Sequence, residues 1–315
     1  HNLWFYRKDF LKKKIEINEQ ELRAIQYDFS DFDSGNEYID PAHLYTYDLD
    51  VFGDYSLFQY INRTSTPVGK QHLADWFNAH LELKESIEQR QEAIRELSTD
   101  LEYRQQIRLF GLLYKGKPAD TNEIREWAGS PSYYRKHTLL RIIPTVVSII
   151  NLICIGSAIV GILPATVPGG VFFCFVIFSS IFSKGITKLQ ATYGKKLQIL
   201  STYADQILLT EKKEMNSPVL QQLKTELTSQ NQTASQAVRQ LSKLMNALDQ
   251  RSNLLMSTIL NGLIFWELRQ VMRIEKWKET HASDLPRWIE TIGEIDAYCS
   301  LATFTYNHPD YIFPK

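Results

Sequence analysis

A chain of 315 residues with 35 Lys and Arg against 36 Asp and Glu carries a formal net charge of −1. That balance excludes a uniformly basic nucleic-acid binder and leaves room only for local basic patches. The three cysteines make no disulfide framework and no C-x-x-C metal spacing, as in a reducing compartment. Cys154 and Cys174 fall in apolar segments, where a free thiol behaves as a small hydrophobe, and Cys299 stands alone. The length allows one large or two ordinary domains. With 23% charged residues and a mean hydropathy of −0.26, any long apolar run is an insertion in a polar protein.

The opening segment, Phe5 to about Ile25, reads as a helix of mixed charge, with Lys12, Lys13 and Lys14 as a solvated face. An acidic stretch with Asp28, Asp31, Asp33, Gly35 and Pro41 reads as an extended linker. Its aromatics, from Tyr27 to Tyr47, imply that it packs along a surface. Asp48 and Asp50 take structural roles as caps or Arg partners. Ser56–Asn62 is helical, with Leu57, Tyr60 and Ile61 on one face. After a break at Arg63–Gly69, Thr66 as N-cap and Pro67 as first helical residue open a helix bearing Val68, His72, Leu73, Trp76 and Phe77. Leu83 to Leu97 follows, with Ile87, Ile94 and Leu97 inward, and then Leu101–Leu113.

From Ile142 to Ser183 there is no Asp, Glu, Lys or Arg. Leu163-Pro-Ala-Thr-Val-Pro-Gly-Gly170 splits this run into two apolar arms. The first, Leu139 to Leu163, is long enough to cross a hydrocarbon core of about 30 Å as a helix; the second, Val167 to Phe182 or Ile186, is at the short end of that range. Pro144 and Asn151 interrupt the first arm. Arg135, Lys136 and Arg141 precede the arms, and Lys184, Lys188, Lys195 and Lys196 follow them, all candidates for lipid or phosphate contacts. Charge bias puts both flanks in the cytoplasm at the cytoplasmic membrane, with the Pro/Gly turn outside. A hairpin buried in a large helical core or an oligomer, in a cytoplasmic protein, is the alternative.

Helical pattern resumes over Ile186–Lys213, breaks at Asn216-Ser-Pro218, and continues as a long polar helix over Val219–Leu248 with Leu220, Leu223, Leu227, Val238, Leu241 and Leu244 as its stripe. An apolar helix spans Leu254–Lys276, and a last one runs from Asp284-Leu-Pro286 to about Thr305. No strand pattern appears, so the chain reads as all-α.

Residues 48–77 resemble the core-domain opening of the MutS family of mismatch-repair ATPases. The family pattern "Leu-Asn-x-Thr-x-Thr-x-x-Gly-x-x-x-Leu-x-x-Trp", entered by a small residue plus Leu, is filled by Ser56, Leu57, Ile61, Asn62, Thr64, Thr66, Gly69, Leu73 and Trp76. Ile87, Arg90 and Ile94 match its next helix, "Ile-x-x-Arg-x-x-x-Val". Leu285–Ala302 and Tyr306–Pro314 resemble the helix and linker leading back to the ATPase. The resemblance implies a core-domain helical bundle with long lever helices, in which the apolar hairpin replaces the DNA clamp, as in a divergent, membrane-anchored bacterial subgroup. It divides the chain into an N-terminal helix and linker (1–47), a first core part (48–138), the hairpin (139–186) and returning lever helices with a second core part (187–315).

The family's chemistry needs a phosphate loop, G-x-x-x-x-G-K-[ST]. Gly111-Leu-Leu-Tyr-Lys-Gly-Lys117 has the spacing, but Pro118 replaces the hydroxyl, and a helix-ending turn explains it better. Phe265-Trp-Glu267 echoes the family's Phe-x-Glu mismatch wedge, yet lies inside an apolar helix and reads as core. The seven histidines, His72 and His80 among them, show no catalytic or metal spacing. Neither mismatch-reading domain nor ATPase is expected within residues 1–315, so the segment reads as a non-catalytic core and lever of a longer protein. By resemblance ATP and Mg belong to that parent, itself a homodimer by kinship; DNA is a weak partner of this segment, the membrane a stronger one through 139–186. A membrane-anchored scaffold with no repair role is the second reading.

Overall fold

The computed structural model describes the backbone of residues 2–113, 118–228, 232–249 and 254–314, and the side chains of these except 2–6, 118–120, 184, 190–199, 201–202, 249 and 254. Among them the chain is all-α, with one isolated antiparallel bridge, Thr228–Thr233. In order the helices are α1 (Asn2–Ile25), α2 (Leu57–Ile61), α3 (Pro67–Asn78), α4 (Lys84–Ser98), α5 (Leu101–Leu113), α6 (Pro118–Gly129), α7 (Thr138–Ile159), α8 (Thr166–Lys212), α9 (Pro218–Glu226), α10 (Ala234–Asp249), α11 (Leu254–Ile264), α12 (Trp266–His281) and α13 (Asp284–Asn307). They form two compact units. One comprises His1–Asn122, Thr202–Ser235 and Asp284–Lys315; the other comprises Glu123–Ser201 and Gln236–Ser283.

The first unit is built around α13, which packs on α3, α4, α5 and α9. From Trp288 to Ser300 it is buried on almost every side, with Trp288, Ile289, Ile292 and Ile295 fully enclosed. A helix apolar all round belongs in a core. Its one buried carboxylate, Asp296, receives the start of α3. The Ser65 and Thr66 amides donate to Asp296 Oδ2 at 2.9 and 2.8 Å, the Thr66 hydroxyl at 2.8 Å, and the Ser65 hydroxyl to Oδ1 at 3.1 Å. Thr66 Oγ1 also accepts from Gly69 N at 3.0 Å, so the N-cap and Pro67 at the first helical position stand as expected. One turn along α13, Ser300 accepts from Arg63 N at 2.8 Å and donates to Ile61 O at 2.9 Å. Close approach of α3 and α13 demands glycine twice: a Cβ at Gly69 would meet Asp296, and one at Gly293 would meet Val68.

The stretch before α2 is turns and a 3-10 segment (Asn36–Tyr38), not an extended linker, and its aromatics do pack along the core. Tyr38 lies against Phe52 and Phe58, and Phe29 against Tyr60. Gln59 donates to Phe32 O and Asn62 to Asp33 O, so the segment's own carbonyls are satisfied by α2 and its C-cap. Glu21 of α1 anchors that helix through Arg63, Arg108 and Asn307.

Several elements differ from the sequence reading. Leu57 and Ile87 are exposed, and α2 instead buries Phe58 with Ile61. The helix expected over Val219–Leu248 is two, α9 and α10; Leu227 O accepts from Ala234 N at 2.9 Å and the Thr228–Thr233 bridge closes the turn. Thr228 and Thr233, which flank the break, are weak helix formers. Leu254–Lys276 is broken at Phe265, and α6 was not foreseen.

Burial pushes the Asp296 carboxyl up to about 6 against the pull of its four donors. A carboxyl raised on folding binds its proton more tightly than the unfolded chain does. Its stabilising contribution is therefore complete below about pH 4 and is lost as pH rises through about 6. Asp296→Asn should keep the backbone bonds through its carbonyl and remove this titration. Measured by denaturant unfolding at pH 4 and pH 7, the wild-type stability relative to Asp296→Asn should fall by up to about 3 kcal/mol; an unchanged difference refutes the titration. Asp296→Ala, which strands all four donors, should cost about 3 kcal/mol at pH 7 and more at pH 4, where the wild-type carboxyl contributes its full stabilisation.

Candidate functional site

In the second unit α7 and the first part of α8 form a hairpin in which two helices are long and apolar enough to span a membrane, Thr138–Ile159 and Thr166–Ser183. Gly161 ends the first arm in a left-handed conformation (φ 81°), with Ile162 N and Leu163 N both donating to Ser157 O. Pro164 starts the return, its carbonyl accepting from Val167 N at 3.0 Å. The turn thus lies at 160–165, earlier than the sequence puts it, and Pro168, Gly169 and Gly170 already belong to the first turns of α8.

Only one stripe of α7 is buried, Pro144, Val147 and Asn151, spaced as one helical face. Outward stand Ile142, Ile149, Ile153 and Ile159 from α7, with Phe173, Ile177 and Ile181 from α8; Ile159 is 80% exposed. Exposed apolar surface this continuous marks a binding or membrane surface.

The two residues that blemish the first arm lie on its packed face and have partners there. Asn151 Nδ2 donates to Gly262 O and Leu263 O, both at 3.0 Å, satisfying carbonyls at the end of α11. Arg269 Nη2 donates to Pro144 O at 2.7 Å and to Ser148 Oγ at 2.8 Å, while its Nε donates to Ile264 O at 2.8 Å. Between α11 and α12 the chain turns at Phe265, left-handed at φ 52° and ψ 49°. That strain for a bulky residue is offset by burial of its ring, 1% exposed, among Phe175, Phe178 and Phe182. Asn261 Oδ1 accepts from Glu267 N at 3.0 Å, and Ser257 donates to Glu267 at 2.8 Å. The Phe265-Trp-Glu267 echo is thus core, as read. Gly262 packs on Phe172 and Val176, leaving no room for a Cβ.

At the base of the hairpin, Glu275 accepts from the amides of Tyr133, Tyr134 and Arg135 at 2.9, 3.1 and 2.7 Å, fixing the chain that enters α7. Burial pushes the Glu279 carboxyl up, but Ser132 and Arg135, the latter paired with it at 2.8 Å, hold it below its usual range. Lys136, Arg141 and Lys188 are exposed on the flanks; the side chains of Lys184, Lys195 and Lys196 lie outside the described residues. Trp127 stacks on Trp277, whose indole donates to Ala237 O at 2.8 Å.

The family-motif residues fall in the first unit, where all but the exposed Leu57 have a structural task. Ser56 caps α2; Asn62 Oδ1 receives the Thr64 amide and hydroxyl at 3.0 and 2.6 Å; Leu73 is fully buried; Trp76 packs on Tyr298 with Arg90 over its ring at 4.3 Å. His72 bonds Glu290 at 2.9 Å, a partner the sequence hid. Of the phosphate-loop echo, Tyr114–Lys117 lie outside the described residues, while Gly111 packs against Ser65. Among the described residues no cluster of His, Cys, Asp and Glu could hold a metal. Sequence reasoning missed Asp296, Glu275 and the Asn151–Arg269 seam; asparagines inside apolar helices, Asn151 and Asn261, were the available signal for the last.

Replacing Asn151 by Leu leaves two buried carbonyls without donors and should lower unfolding free energy by about 2 kcal/mol. Ile153→Leu, on the exposed face, should be neutral. Thermal unfolding in mild detergent distinguishes them, and equal melting temperatures would refute the seam.

The family model for MutS domain III matches residues 46–302. Neither the curated proteins nor the solved structures yield a match. The matched span takes in the α3–α13 core that Asp296 closes and the hairpin borne by the second unit, and so the chain belongs to the MutS domain III family.

Proposed function

We propose that this chain is the non-catalytic core and lever of a MutS-like protein whose lever carries a membrane-embedding hairpin where a DNA clamp would otherwise stand. The observation that carries this is the charge-free hairpin with apolar side chains facing outward along both arms. Water is a poor solvent for such a surface, at roughly 25 cal/mol per Å², whereas a hydrocarbon interior accepts it. Lys136, Arg141 and Lys188 at its base suit anionic headgroups, each worth about 1 kcal/mol near a charged surface. The core would relay nucleotide-dependent movements of an ATPase domain in the parent protein, where ATP and Mg would bind. The parent would be a homodimer by family kinship, with DNA at most a weak partner of this segment. The second reading keeps the anchor and drops repair: a scaffold held at the cytoplasmic membrane.

Val147 is packed inward, so a charge there would test folding. Exposed positions test the membrane. Ile153→Lys combined with Ile177→Lys should leave far-ultraviolet circular dichroism unchanged and move the protein from the membrane pellet to the alkaline-carbonate supernatant. Each charge costs about 2.5–3.5 kcal/mol at mid-bilayer on insertion scales. Retention of the double variant in the pellet would refute the anchor. Duplex-DNA binding at low salt by the wild type, retained in the double variant, would favour the repair reading over the scaffold.

A further inference from the structure

We propose that the hairpin does not cross the bilayer but lies within the leaflet it enters, as one part of a three-helix apolar layer that includes α11. The inference rests on the membrane reading above and gives it a topology.

Three observations converge. The first is length. Arg269 is bonded to Pro144 and Ser148, and Glu267 lies two residues away, so charged groups flank α7 as far as Ser148. The 15 residues beyond, 149–163, rise about 22 Å even as continuous helix, and α7 itself stops at Ile159. On the other arm, Phe182 packs on Phe265 at the same seam, and from there back to Thr166 the rise is about 24 Å. Neither reaches the roughly 30 Å of a hydrocarbon core, and tilt shortens both.

The second is the tip. Val160-Gly-Ile-Leu-Pro-Ala-Thr166 has no charge, no Trp and no Tyr, the residues that hold a loop at a far headgroup layer. Val160 and Ile162 are more than 70% exposed, so the tip is as apolar outside as the arms.

The third is α11. Asn151 meets Gly262 and Leu263, so the end of α11 packs against the middle of α7. Helices about 10–12 Å thick fit inside the roughly 15 Å of one leaflet's hydrocarbon. Leu255, Met256 and Ile259 of α11, exposed and apolar, join Ile149, Ile153 and Ile177 in that layer.

The test uses the full chain with Cys154, Cys174 and Cys299 replaced by Ala and a single cysteine at Thr166 or, separately, Ile162. Both are exposed tip positions where substitution disturbs no packing. Glu126→Cys marks the flank. Protein is bound to unilamellar vesicles of phosphatidylglycerol and phosphatidylethanolamine holding a membrane-impermeant maleimide in the lumen, or facing it outside. The expected result is outside labelling at Glu126→Cys, no lumenal labelling at either tip position, and a rise of at least tenfold in tip labelling when detergent is added. An environment-sensitive fluorophore at the tip should be quenched at least as well by shallow as by deep spin-labelled lipid. Lumenal labelling of the tip would overturn the inference and leave the anchor standing. Failure to float with the vesicles would overturn the anchor and this topology together.

Discussion

Everything in the first unit depends on one buried carboxylate meeting the start of a helix 230 residues earlier in the chain. Asp296 accepts from both amides and both hydroxyls of Ser65 and Thr66. The geometry of α3 follows, because its first turn is fixed in direction by a partner that is itself enclosed. Substituting glycine on either side of that contact would push the helices apart, and the layers that α13 makes with α4, α5 and α9 are laid on the same axis. Ser300 and Arg63 repeat the device one turn on, so α13 is riveted to the 61–66 segment by polar bonds inside an apolar sheath. Such bonds specify register more than they add net stability, since a buried donor without its acceptor costs more than the bond contributes.

Long closure need not be expensive. The entropy of joining two points grows only as the logarithm of the intervening length, about 0.6 kcal/mol per doubling. A second unit inserted between α5 and α13 therefore adds little to the cost of bringing Asp296 to Thr66, and less once that unit has folded by itself. That unit has its own polar framework, the Glu275 carboxylate on three successive amides and the Asn151–Arg269 seam. An insertion with internal closure of this kind can change its surface from polar to apolar without altering the contacts that define the core.

Local signals carried much of the fold. Thr66-Pro67 announced a helix start, and Leu101–Leu113 fell where composition put it, whereas the hairpin turn lies at 160–165, ahead of Pro168-Gly169-Gly170. Non-local partners were illegible: nothing around Asp296 distinguishes it from a surface aspartate, because its four donors are contributed by residues 65 and 66. Helical periodicity also joined what the structure separates. The apolar pattern of Leu254–Lys276 runs unbroken through Phe265, since the left-handed turn there is stabilised by rings from α8 and by Asn261, not by a glycine or proline in its own sequence. Likewise Ile87 satisfied the helical pattern of α4, but the buried positions proved to be Gln91, Ala93, Ile94 and Leu97.

The hairpin illustrates how a blemish in a sequence becomes evidence once its neighbours are known. In a freely lipid-facing helix, Pro144 and Asn151 would each expose a polar group to hydrocarbon at a cost of several kcal/mol. Here they share one face, and that face binds the broken end of α11 and the guanidinium of Arg269. The same two residues set the boundary of the apolar surface, because the polar seam they serve takes about half of α7 out of the length available to lipid. Composition alone counts every uncharged residue from Ile142 to Ser183 towards a span. Packing divides them into those facing a solvent and those facing protein, and only the first set determines how far into a bilayer this domain reaches.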